Sequence, residues 1–253
     1  MSDDADAGSR VFRAGPVRIR VNAGGTPPRE RLSVDRIVDV ALEQMKEHGY
    51  ESVSMRSIAR ALGTGPASLY AHVANRDELD ALVIERVASR LEVPDPDPEH
   101  WEQQLRDLML QMMALYQAHP GVARASLGLI PMSPRLLVTT ERIAALIRAS
   151  GVPDQAVAWF LDQMGLYISS VAVEQDVWRQ RGAWSEEHFE SVHQFFHDLP
   201  ESEFPVLASL SEAMTTGDHD DRFGFGIDLL IAGLAAYADG TARIREPGTR
   251  SAN

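Results

Sequence analysis

An all-α fold is predicted from three features of the sequence. Apolar residues recur at spacings of three and four through most of the chain. Proline and glycine stand at the ends of those runs, where helices start and stop. No long run alternates with a period of two, so no sheet is expected. The expected organisation is an arm (residues 1–32), a small helical head (33–92), a larger helical domain (93–240) and a disordered tail (241–253).

Residues 1–32 are rich in Gly, Pro, Arg and Asp, and Gly24-Gly25-Thr26-Pro27-Pro28 reads as a flexible joint, so a disordered arm is expected. From Ser33, a plausible N-cap, Val34, Ile37, Val38, Ala41, Leu42 and Met45 line one helix face until Gly49. A short helix over 54–62 turns Met55, Ile58, Ala59 and Leu62 inward and ends at Gly63. Pro66 opens another at N1, where its missing N–H costs nothing. Asn75 caps a longer helix with Leu79, Leu82, Val83, Val87 and Leu91 inward. Three prolines at alternate positions, Pro94, Pro96 and Pro98, exclude helix and mark the domain boundary. Further helices are expected over 99–119, to 127, over 133–150, from Pro153 to about 181, over 185–197, over 205–214 and over 221–239.

The chain has 253 residues, 44% hydrophobic and 24% charged, and can bury a sizeable core without staples. It has no Cys, which excludes disulfides, zinc–cysteine sites, iron–sulfur clusters and cysteine nucleophiles. The acidic opening does not fit a secretory signal, and the longest apolar run, 229–238, is too short to span a bilayer. A cytoplasmic protein without a membrane partner is expected. No phosphate loop, dinucleotide fingerprint or nucleophile elbow is present, so neither an enzyme nor a cofactor is expected.

The net charge of −13 is unevenly spread. Residues 91–253 carry −13, residues 10–90 carry +3, and within them residues 10–36 carry seven Arg against Glu30 and Asp35. One part suits a polyanion and the other does not. The basic stretch 10–20 reads equally as a solvated tail or as an arm entering a minor groove.

Residues 54–73 fit a helix-turn-helix. Ala59 is small where a second helix crosses close to it, Gly63 supplies positive φ, and Ile58, Leu62 and Leu69 fill the wedge. The outer face of the second helix then offers Pro66, Ala67, Ser68, Tyr70 and His72. A plain αα-corner would show the same pattern.

With Tyr50-Glu51-Ser52-Val53-Ser54, Ile58-Ala59, Leu62-Gly63, Leu69-Tyr70-Ala71-His72-Val73 and Asn75-Arg76-Asp77-Glu78-Leu79, the head resembles the tetracycline-repressor (TetR) family. Ala123-Arg124, Leu127-Gly128, Pro131, Gly165, Glu174 and the run 223–234 are similar to the ligand-binding domain of the tetracycline repressor branch. The resemblance implies a homodimeric, ligand-responsive transcriptional repressor of a palindromic operator. Its second domain would bind the ligand and dimerise. Its DNA contacts would fall on Ser54, Arg56, Pro66, Ala67, Ser68, Tyr70, His72 and Arg76. Arg56 is expected at a guanine edge, with Ser54, Ser68, Tyr70 and Arg76 on phosphates.

The branch's magnesium-holding His is matched by Ser126 and a pocket Thr by Leu129, so a magnesium–tetracycline inducer is not expected, although Glu174 matches a retained acid. The implied pocket is apolar and aromatic: Trp101, Met109, Met112, Met113, Tyr116, Ser126, Ile130, Met132, Phe160, Met164, Tyr167 and Glu174. It suits a bulky organic inducer, although each apolar member taken singly reads first as ordinary core. A dimer seam is expected at Gly165, Phe223, Ile227, Leu230, Ile231, Gly233 and Leu234. His193 and His197, four apart, lack further ligands, and no metal site is assigned. The alternative function is a helical ligand-binding or adaptor protein that does not read DNA.

Overall fold

A computed structural model of the chain describes residues 9–14, 17–22, 32–130, 132–181 and 186–244. It forms two units, Met1–Ser33 and Val34–Asn253. The first contains an antiparallel hairpin of β1 (Ser9–Ala14) and β2 (Val17–Asn22), with Ala14 opposite Val17, Phe12 opposite Ile19 and Val11 opposite Arg20. This corrects the expectation of an arm without sheet. Val17, Ile19 and Val21 alternate with Arg18 and Arg20, a five-residue period-two signal in β-branched residues. The joint at 24–28, the start of the 185–197 helix, Pro131 and the tail from 245 lie outside the described residues.

Every regular element among the described residues of the second unit is a helix. Its head comprises α1 (Val34–His48), α2 (Met55–Ala61), α3 (Pro66–Tyr70) and α4 (Arg76–Ala88). Each boundary has a local cause. Ser54 caps α2 reciprocally with Ser57, Pro66 sits at the start of α3, and the Asn75 side chain accepts from the Glu78 N–H. Gly63 turns the chain between α2 and α3 at φ +62, where a Cβ would be strained. Ile37, Ala41, Ile58, Ala59, Leu69, Val73 and Leu79 close the core of the head.

The larger helical region follows the proline-rich link: α5 (Trp101–Ala118), α6 (Val122–Ser126), α7 (Pro134–Ala149), α8 (Asp154–Arg181), α9 (Glu186–His197), α10 (Pro205–Ser209), α11 (Ser211–Thr215) and α12 (His219–Ala238). The helix expected over 205–214 is two short ones. The last helix begins two residues earlier than its pattern suggested, because Asp218 and Asp221 form a reciprocal cap. Helix α8 is the axis, packed by α5, α6, α7 and α12. It is long and apolar enough to cross a membrane by composition alone, but Ile168, Ala172 and Met164 are spent on the core.

Candidate nucleic-acid interface and its link to the helical domain

Helix α3 buries one residue, Leu69, and leaves Pro66, Ala67, Ser68 and Tyr70 exposed, with His72 exposed just beyond it. One buried anchor and an otherwise open face is the geometry of an element that meets a groove. Arg56 on α2 is exposed beside it, and so is Arg60 one turn on, a cation that the sequence reading passed over although its i+4 spacing from Arg56 places both on one face. Ser54 is exposed but already accepts the Ser57 N–H in its cap.

Arg76 is engaged within the head. Its Nε donates to Asp80 Oδ1 at 2.8 Å, its Nη1 donates to the Val53 carbonyl, its Nη2 donates to the Tyr50 carbonyl at 3.4 Å, and its Cζ lies over the Tyr50 ring, 4.3 Å from the centroid. The Tyr50 hydroxyl donates to Asp80 Oδ2 at 2.7 Å. Both carboxylate oxygens are therefore engaged, on a residue that is 6% exposed. Burial raises the Asp80 carboxyl above its usual range, outweighing the opposing pull of Tyr50 and Arg76. Burial, and then the Asp80 carboxylate, raise the Tyr50 phenol. Nothing in the sequence separated an inward Arg76 from an outward one, because its helix-start position suits both.

The cluster also meets the larger helical region. Gly121, the N-cap of α6, has φ +88, and a Cβ there would stand 3.2 Å from Met45 Cβ and 3.5 Å from Tyr50 Cβ. Its N–H donates to Asp176 of α8 at 3.0 Å, and Arg124 of α6 reaches Glu51 at 3.3 Å. Tyr50 thus stands between the start of α6 and the Asp80 carboxylate of α4.

Of the predicted pocket residues, Trp101, Met109, Met113, Phe160 and Met164 lie buried in one core cluster, with Met112, Tyr116 and Tyr167 packed at its edge. Tyr116 donates to Ser126 at 3.2 Å, and Ser126 shares a 2.9 Å hydrogen bond with Ser169. Ser169 is 3% exposed and was missed, since nothing in the sequence tells it from its neighbour Ser170 in the same apolar run. Tyr167 stacks on Phe223 at 5.5 Å and donates to its carbonyl at 3.0 Å. Ile130 and Met132 stand apart from this core, 73% and 76% exposed in the α6–α7 loop. Glu174 faces Arg222 at 3.8 Å.

The residues of the expected seam divide in the protomer. Phe223, Ile227, Ile231 and Leu234 are buried within the protomer's own core. The outward apolar residues of α12 are Phe225 and Leu229, and those of α8 are Trp159 and Leu166. A groove of about 250 Å³ between the two helices is lined by Trp159, Gln163, Leu229, Leu230 and Gly233. A Cβ at Gly165 or Gly233 would meet open space. His193 spends Nδ1 on Thr215 at 3.0 Å, and among the described residues no group of three or more metal-ligating side chains occurs.

A glycine-turned helix pair with an open second helix, carried on a larger helical domain, defines a helix-turn-helix DNA-binding regulator. Residues 37–83 match the family model of bacterial regulatory proteins, tetR family, and residues 93–238 match that of the tetracyclin repressor-like C-terminal domain. The chain belongs to the TetR family. It is 31% identical over 213 residues to the HTH-type transcriptional repressor DrrR1 of Streptomyces coeruleorubidus, covering 82% of this chain and 78% of that one. Among solved structures, apo ActR from Streptomyces coelicolor is similar at 35% identity, with TM-score 0.76 and coverage of 84% of this chain and 99% of that one. ActR in complex with actinorhodin gives TM-score 0.75 at 35% identity, over 83% of this chain and 99% of that one.

Proposed function

We propose that the chain works as a homodimeric repressor that grips a palindromic operator with α2 and α3 and lets go when an organic inducer enters the larger helical domain. The observation that carries this reading is the open face of α3 on a head belonging to this family. Arg56 serves as the base-reading cation, Arg60 joins it, and Tyr70, Ser68 and His72 hold phosphates and fix register. Arg76 instead positions Tyr50 and Asp80.

The domain assignment on this reading is a head over 33–92 and a ligand and dimerisation domain over 93–240. The inducer sits among α5, α6 and α8, with apolar and aromatic groups around it and the Tyr116–Ser126–Ser169 hydroxyls at one end. Ser126 stands where the branch has its magnesium-holding His, and its hydroxyl is taken by the Ala123 carbonyl and Ser169, so the inducer binds without that ion. Support for an organic inducer also comes from the ActR structure with actinorhodin. The dimer forms through the outer faces of α8 and α12, where Trp159, Leu166, Phe225 and Leu229 are exposed and side-chain-free Gly165 and Gly233 permit close approach. A mechanical route from inducer to operator exists where Gly121 of α6 abuts Tyr50, whose hydroxyl holds Asp80 of α4.

The test is selection of bound duplexes from a random pool, followed by titration of the recovered duplex with the protein and then with actinorhodin. The reading expects a palindromic consensus and release of the duplex by an organic compound of that kind. Recovery of no preferred sequence would favour an adaptor instead.

A further inference from the structure

We infer that the cavity between the head and the larger helical domain is a second small-molecule site, suited to an aromatic carboxylate, and that its occupant opposes the inducer. The second role rests on the reading of the chain as an inducible repressor, while binding at the cavity does not. The cavity, of about 350 Å³, opens where the end of α1 meets α6 and α8. Its α8 wall is Val173, Asp176, Val177 and Gln180. The spacing i, i+3, i+4, i+7 is that of one helix face, so the four act as a single stripe. Tyr50 and Glu51 form the head's wall, and Gly121 and Arg124 of α6 close the end. Ligand sites run from about 300 to 1,000 Å³, which makes this one fit for a guest of one or two rings. It lies further along α8 than Ser169, which belongs to the inducer site.

The chemistry of the walls selects the guest. Val173, Val177 and the Tyr50 ring supply apolar surface for an aromatic body. Asp176, half-buried in the α8 wall, has both oxygens engaged: Oδ2 accepts from the Gly121 N–H at 3.0 Å and Oδ1 from Arg179 at 3.0 Å. A cationic guest would have to displace Arg179 to reach it. Arg124 is the opposite case. Its Nε meets Glu51 at 3.3 Å in a pair open to water, which contributes little and exchanges readily. A guanidinium carries five N–H donors in a planar fork that matches a carboxylate. A guest carboxylate can therefore take Arg124 while Glu51 turns to solvent. A flat ring on the valines with an acid group toward Arg124 uses both halves of the site.

The same walls carry the contact between the two parts of the chain. A Cβ at Gly121 would stand 3.2 Å from Met45 and 3.5 Å from Tyr50, whose hydroxyl holds Asp80 of α4. Any movement of α6 against Tyr50 therefore reshapes the cavity. A guest that fits the present shape binds this arrangement better than a shifted one, and opposes the shift by that difference in affinity. The route from inducer to operator runs through this contact, so a filled cavity favours the grip on DNA.

The probe is 2-naphthoate, with neutral 2-naphthamide as its control, titrated by calorimetry without DNA into the full chain, Arg124→Gln and Val177→Trp. Arg124→Gln should lose about tenfold in affinity for 2-naphthoate and keep its affinity for 2-naphthamide, a split that a merely structural loss would not give. Val177→Trp fills the cavity and should bind neither. Should it fail to fold, Arg124→Gln still decides, because its side chain is exposed and its surface ion pair contributes little. Photolabelling with 4-azidobenzoate should tag residues 121–124 and 173–180 in the full chain and not in Arg124→Gln. Saturating 2-naphthoate should also tighten binding of the selected operator by about fivefold or more in the full chain, as allosteric couplings do, and leave Arg124→Gln unchanged. No binding of 2-naphthoate, equal binding by the full chain and Arg124→Gln, label confined to other segments, or operator affinity unmoved or lowered would overturn the proposal. If no operator is selected, the repressor reading fails, and calorimetry with the label alone upholds or overturns the site.

Discussion

Replacing Asp80 by Ala should weaken the fold more than any other single change in the head that leaves its hydrophobic core intact. Asp80 accepts from Arg76 Nε at 2.8 Å and from the Tyr50 hydroxyl at 2.7 Å, and it is 6% exposed. Removing one partner of a buried ion pair costs about 3–5 kcal/mol, because the other charge is left uncompensated. The Arg76 side chain is 29% exposed, so water recovers part of that loss, and its bonds to the Val53 and Tyr50 carbonyls remain. The stranded Tyr50 hydroxyl adds about 1 kcal/mol. A net loss of about 2–3 kcal/mol follows, which for a chain of this size lowers Tm by roughly 5–10 °C. Urea denaturation and a thermal melt measure it. The double change Arg76→Met/Asp80→Leu should recover much of the loss, since an apolar pair needs no compensating charge. The pH dependence has a definite sign. Burial holds the folded Asp80 carboxyl above 3.8, so as pH rises from there the unfolded chain gives up this proton first. Wild type should lose stability relative to Asp80→Asn as pH rises through that window. A fall in Tm below 2 °C for Asp80→Ala, or a wild type that gains on Asp80→Asn with rising pH, would refute the reasoning; both limits are set against the roughly 2–4 °C expected per kcal/mol.

Three further changes probe other parts of the account. In Gly226→Ala the new Cβ would lie 1.9 Å from the Tyr167 hydroxyl, forcing that ring off Phe223; the lost stacking and hydrogen bond outweigh the better helix propensity by about 1 kcal/mol, and a raised Tm would contradict this. Leu229→Asp with Phe225→Asp, at positions 59% and 66% exposed in the protomer, should give folded monomers by sedimentation, whereas Leu234→Asp, at 3%, should unfold the chain. Arg56→Ala should cost about 1–3 kcal/mol per subunit on operator and little on random DNA, while Arg76→Ala should lower Tm without changing the salt slope; equal losses of operator and random DNA in Arg56→Ala would make Arg56 a phosphate contact.

Helix order was legible because each helix carries its own start and stop: Ser54, Pro66, Asn75, Ser133 and Asp218 all lie at N-termini, four of them as side-chain caps. The exposed face of α3 was legible for a related reason, since a five-residue helix with one apolar anchor has only one way to face inward. What the sequence left open is where a long side chain goes after it leaves the backbone. Arg76 turns inward because Asp80 lies one turn along α4 and Tyr50 arrives from 26 residues away, and only the second partner fixes the direction. The seam residues were hard to sort for another reason. The last helix is apolar nearly all round, so periodicity could not divide its core-facing residues, Phe223, Ile227 and Ile231, from its outward ones, Phe225 and Leu229. The hairpin was overlooked because its alternation spans few residues and sits among Gly and Pro.

The central claim is that occupancy of the larger helical domain releases DNA held by α2 and α3. Its most direct measurement is the anisotropy of a fluorescent operator duplex bound to the full chain while an organic compound that calorimetry shows to bind the chain is added, repeated with Tyr50→Phe, which cuts the hydroxyl link to Asp80 at the point where α6 abuts the head. The account predicts that the compound frees the duplex from the wild type, and that Tyr50→Phe binds the compound as tightly but releases the duplex less readily. Compound bound with the duplex still held by the wild type, or equal release from both proteins, would contradict it.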